Sequence, residues 1–144
     1  EHHSRPIPLI LLEAILFRGF DDYRTDSELM DDAHSTCEEI YQAYLNDKIN
    51  EQDDMRLIVL LWAGQATIET WKAVETKLPA RVSAGLALVG GRSLMLSAEE
   101  AETVEEKKSH LEKARTMLEA SRDHSGATDS FQRMARKFLE EIEP

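Results

Sequence analysis

Apolar positions recur at spacings of three and four along nearly the whole chain, a period that predicts helices. The first predicted helix starts at Pro8, a residue suited to a first helical turn, and ends near Gly19. Leu9–Leu12, Ile15, Leu16 and Phe17 make it apolar almost all round, with Glu13 and Arg18 its only charges. A helix of that kind belongs in a core or in an oligomer seam. The second begins at Thr25 or Asp26, where Thr25-Asp26-Ser27-Glu28 has the form of a capping box. Leu29, Ala33, Cys37, Ile40, Tyr44 and Leu45 then fall on one stripe, and residues 46–50 break the pattern.

A third helix is predicted over about residues 51–77, with Asn50 as its cap and Pro79 as its stop. Leu57–Leu61 is apolar on all sides, followed by the stripe Ile68, Trp71 and Val74, so this helix is expected to be central. Residues 80–96 are ambiguous: Gly90-Gly91 reads as a helix stop or as a two-residue hairpin turn. Few β-branched residues flank the pair, which favours a short helix broken at the glycines. Ser97-Ala98-Glu99-Glu100 has the form of a second capping box, opening a helix to about Arg122 with Ala101, Val104, Leu111, Ala114 and Leu118 as its stripe. The last helix spans about residues 128–143 and buries Phe131, Met134, Ala135, Phe138, Leu139 and Ile142. The expected fold is therefore an all-α, single-domain bundle over residues 1–144, with five to six helices around a central apolar helix at about 51–77. Residues 1–6 stand outside it.

Charge changes the picture more than composition does. The 144 residues carry a net charge of −11, unevenly placed. Residues 1–56 hold −9, residues 57–96 hold +2, and residues 97–144 hold −4. The middle reads as a hidden layer and the flanks as its solvated cover. A field of this sign repels phosphate backbones, which argues against nucleic acid as a partner. The single cysteine, Cys37, excludes an intramolecular disulfide and any cysteine cluster for zinc. No apolar run approaches the roughly 18–20 residues of a membrane span. A cytoplasmic location and no cofactor or metal are the resulting expectations.

Candidate chemistry is sparse. Gly85–Ser93 has the outer spacing of a phosphate-cradling loop, but Gly91 stands where the lysine would reach the phosphates, and a tight turn explains the glycines as well. Asp31, His34 and Glu38 are spaced to share one helix face. A di-iron bundle would need a second copy of such a motif, which the sequence lacks, so a solvated charged face is the plainer reading. Cys37 lies on a buried stripe, the usual place of an inert thiol. His110-Leu111-Glu112-Lys113-Ala114 resembles the active segment of histidine phosphotransfer domains. That resemblance implies His110 as phosphoacceptor and Lys113 as the cation that neutralises the phosphoryl group. It covers five residues, and Ala114 stands where the family has glycine. Without a catalytic signature, the leading expectation is a non-enzymatic protein-interaction module: an adaptor, regulator or inhibitor. Its partner-binding residues would be Asp21, Asp22, Asp31, Asp32, Glu38 and Glu39, facing a basic protein surface. Homodimerisation through the first helix is a further expectation.

Overall fold

A computed structural model describes residue 14, residues 19–65 and residues 67–142, the side chains of residues 51 and 62 excepted. The predicted helix over residues 8–18, and the dimer seam assigned to it, lie outside the described residues. After a short 3-10 turn at Asp21–Tyr23 come α1 (Ser27–Leu45), a π turn (Glu51–Met55) running into α2 (Arg56–Trp62), and α3 (Ile68–Glu75). They are followed by α4 (Ala80–Glu99), α5 (Val104–Asp123) and α6 (Asp129–Ile142). The described residues contain no strand, and the chain is an all-helical bundle as the periodicity indicates.

The hub of that bundle is α4, not the segment 51–77. The expected long third helix is broken at Gly64, whose φ is +72°. A side-chain carbon there would lie 2.5 Å from Ser97 Oγ and 2.8 Å from the Ser93 carbonyl oxygen. The chain thus turns against the backbone of α4 in a left-handed conformation that favours glycine, and no helix crosses this point. By contrast α4 runs unbroken through Gly90-Gly91, so neither the helix stop nor the hairpin is formed. It is buried almost end to end, from Val82 to Met95. The missing Cβ atoms serve packing: one on Gly91 would lie 2.6 Å from both Cγ and Cδ2 of Leu118, which sets how closely α5 approaches.

Side chains fasten this hub to its neighbours. Trp71 Nε1 of α3 donates to the Ser83 carbonyl at 2.8 Å, and Ser83 Oγ donates back to the Glu75 carbonyl at 2.8 Å. Ser121 Oγ of α5 donates to the Ala84 carbonyl at 2.9 Å. Because α1 and α5 each pack against both α4 and α6, the four form a ring with α1 and α5 at opposite corners. The helices α2 and α3 cover a remaining side of α4.

Both expected capping boxes are replaced. Asp26, not Thr25, caps α1 by accepting the Leu29 amide at 3.0 Å, while Glu28 is drawn to Arg133 at 3.1 Å. Ser97 lies inside α4, and Thr103 caps α5 by accepting the Glu106 amide at 3.0 Å. The stripe of α5 also shifts. Ala114, Met117, Leu118 and Ser121 are its buried residues, whereas Val104 is 78% exposed and Leu111 half-buried. In α6 the expected apolar face is buried from Phe131 to Leu139, with Ile142 half-buried at its end.

Candidate functional site

The acidic face begins with α1, which carries Glu28, Asp31, Asp32, Glu38 and Glu39 and no lysine or arginine. A 3.6-residue period splits these acids between two surfaces. Asp31 and Glu38 lie on the outer stripe with His34, Gln42 and Leu45, all exposed. Asp32 and Glu39 turn towards the bundle. Asp32 Oδ2 accepts from Ser130 Oγ of α6 at 2.5 Å, and Glu39 pairs with Arg81 of α4. Neighbouring acids are also engaged: Arg133 of α6 reaches Asp26 at 2.7 Å and Glu28 at 3.1 Å. The guanidinium bond, then the Leu29 amide, hold the Asp26 carboxyl below its ordinary value. So part of the negative charge fixes α1 to α4 and α6, and the outer stripe is the part turned to solvent.

Asp21 and Asp22 sit elsewhere, on the rim of a polar pocket of about 280 Å³ that also carries Glu99 and Glu100. Arg92 of α4 lines this pocket, and only 7% of that residue is exposed. Its Nε donates to the Gly19 carbonyl at 3.2 Å, and its guanidinium carbon lies 4.8 Å from the Phe138 ring centre. Asp22 is 3.8 Å away, and Asp21 binds its own neighbour Arg24 at 2.8 Å. The Phe138 ring also meets Tyr23 edge-on, with ring centres 5.6 Å apart. The Arg92 guanidinium is thus held against an aromatic face and bonded through one edge. Burial, followed by the Glu141 charge, pushes the Tyr23 phenol above its ordinary value.

No family model, curated protein or solved structure matches this chain. The site therefore rests on its own geometry. Asp31, His34 and Glu38 share the outer face of α1 as their spacing suggests, but no group of three or more metal-ligating side chains is gathered among the described residues. His110 of α5 is half-buried, with Nδ1 enclosed and without a hydrogen-bond partner, and the exposed Lys113 follows it by about one turn. Cys37 is buried, as its stripe predicts.

Three polar clusters escaped the sequence reading. Arg92 was detectable as the one charge inside the apolar run from Val82 to Leu96. Asp54 and Lys77 lie 2.8 Å apart across a separation that no local pattern encodes. His124 Nε2 meets Glu75 Oε2 at 2.9 Å while its Nδ1 accepts the Gly126 amide at 3.1 Å. That pair of bonds assigns the Nε2–H tautomer, because Nδ1 must present its lone pair to the Gly126 amide.

Asp54 gives a testable pH dependence. Its side chain is 4% exposed, and it accepts the Asn50 amide at 2.9 Å in addition to the Lys77 bond. Burial raises its carboxyl, but the Lys77 bond, the Asn50 amide and the Lys77 charge together bring it below its ordinary 3.8. A group depressed on folding adds stability above its unfolded value, and that stability is lost as pH falls through the folded value. Urea unfolding at neutral pH is expected to show a loss of about 1–2 kcal/mol for Asp54→Ala, which removes the bond to the Asn50 amide and the ion pair together. Below the folded value of Asp54 the gap between wild type and variant should shrink. A gap that is constant across this range would show that the carboxylate contributes nothing by its charge.

Proposed function

We propose that this chain is a protein–protein interaction module, acting as an adaptor, regulator or inhibitor, with the outer face of α1 offered to a basic protein partner. The observation that carries the reading is the division of labour on α1. Asp32 and Glu39 are bound to Ser130 and Arg81, whereas Asp31 and Glu38 point to solvent beside Gln42 on a helix whose opposite face is buried in the bundle. A fixed negative stripe steers a basic surface by long-range attraction and costs little ordering on contact. The carboxylates of Asp22, Glu99 and Glu100 around the Arg92 pocket add to the negative field at another part of the surface.

The test is a charge reversal that spares the fold. Asp31→Lys combined with Glu38→Lys changes only exposed positions and should leave the helical circular dichroism and melting temperature near those of the wild type. Association with the partner retained on the immobilised wild-type chain is expected to weaken by at least about tenfold in the double variant. Retention of full binding by the double variant would remove α1 from the interface.

A further inference from the structure

The apolar stripe that the bundle leaves uncovered on α5 has a polarity opposite to that of the chain. Val104 and Leu111 of α5, with Ile142 at the end of α6, form the apolar lining of a groove of about 360 Å³. Its other lining residues among those described are Lys107, Lys108, Glu112 and Arg115. The exposed Lys107 and Lys108 give this groove a cationic rim on a chain of net charge −11. We propose that this groove docks an acidic amphipathic helix of a partner protein, whose apolar residues seat on Val104, Leu111 and Ile142 and whose carboxylates meet the cationic rim.

Geometry and charge both favour that occupant. Val104 and Leu111 are seven positions apart on α5, about 10 Å along the axis, which matches anchors at i and i+7 of a docked helix. The basic rim selects acids over bases at short range, while the net negative charge farther off is screened beyond roughly 8 Å at physiological salt. A second copy of this chain is a poor fit through α1, because the outer stripe of α1 offers Leu45 as its one large apolar residue. Since α5 stands at the corner opposite α1, the groove is separate from the acidic face and does not rest on the function proposed for it. With both faces occupied, the chain would bridge two partners of opposite charge.

The experiment uses the full chain and two labelled peptides of about 15 residues, long enough to present two helical turns of anchors. One carries leucines at i, i+3, i+4 and i+7 among glutamates, and its twin has lysine at every glutamate. Fluorescence anisotropy near physiological salt should show the glutamate peptide binding at least about tenfold more tightly than the lysine twin. Lys107→Glu with Lys108→Glu should cancel or reverse that preference. Leu111→Glu should weaken binding by at least about tenfold, as expected of a central apolar anchor. Val104→Glu acts at a position already 78% exposed, so it should weaken binding without disturbing the fold. Equal affinity for the two peptides, no binding of the glutamate peptide, or indifference to Val104→Glu would each overturn the proposal. So would nuclear Overhauser contacts in the free chain between the methyl groups of residues 9–16 and those of Val104 and Leu111, which would mean that the chain fills its own groove.

Discussion

Gly91→Ala is expected to destabilise the protein while Gly90→Ala, one residue away in the same buried helix, is expected to be close to neutral. Both changes gain up to about 1 kcal/mol of helix propensity, so packing decides the sign. At Gly90 the nearest atom to a new Cβ is Met117 Cε at 3.0 Å, the far end of a flexible side chain that gives way at low cost. At Gly91 it meets Leu118 Cγ and Cδ2 at 2.6 Å, with the Ala114 carbonyl oxygen at 3.3 Å behind them. Leu118 is fully buried, so relief requires a shift of α5. Overpacking of that kind costs about 1–3 kcal/mol, and a valine at Gly91 should reach or exceed the upper end. Chemical denaturation of the three variants checks the order: Gly90→Ala near wild type, Gly91→Ala lower, Gly91→Val lowest. Equal effects at the two glycines would mean that α4 and α5 do not meet at Gly91.

The second large effect is expected at Phe138. Its ring is fully buried, and it supports the guanidinium of Arg92 on one side while meeting the edge of Tyr23. Truncation to alanine opens a cavity at the centre of the contact between α4, α6 and the 3-10 turn. The loss is expected to be about 3–5 kcal/mol, and the buried cation would lose its aromatic face as well. Phe138→Leu keeps most of the volume and should cost about 1.5 kcal/mol or less through packing alone, so a loss beyond that in this variant reports what the ring adds beyond its volume. If Phe138→Leu melts with the wild type, the stacking of Arg92 on Phe138 carries no weight in the fold.

These residues also show where the sequence was legible. Helix α6 could be read outright: its apolar positions from Phe131 to Leu139 keep one period and face one core. The π turn and α2 begin at Asn50 as the cap residue suggests, its Oδ1 accepting the Asp53 amide at 2.6 Å. The hub is not legible in the sequence because local signals compete with tertiary ones. Gly90-Gly91 has the chemistry of a turn, yet its value in this fold is the absence of Cβ atoms beneath Met117 and Leu118. Gly64 lies in a segment whose flanks are apolar enough for one long helix, and only the presence of α4 beside it shows why the chain must break there.

The acidic face was partly legible for the same reason. Periodicity places Asp31 and Glu38 outside, but the partners of Asp32, Glu39 and Asp26 come from α4 and α6, at separations that no spacing rule reaches. The apolar stripe of α5 was legible as a stripe. Its outer half at Val104 and Leu111 continues that stripe without being buried, because hydrophobic pattern does not say which end of a helix outruns its neighbours.

The association rate with the retained partner, followed against ionic strength by stopped-flow mixing, tests the acidic-face account most directly. The account predicts a rate that falls by about tenfold or more as salt rises from about 0.05 to 0.5 M, with the dissociation rate little changed. A rate independent of salt would contradict it, because the stripe of Asp31 and Glu38 would then play no part in guiding the partner to α1.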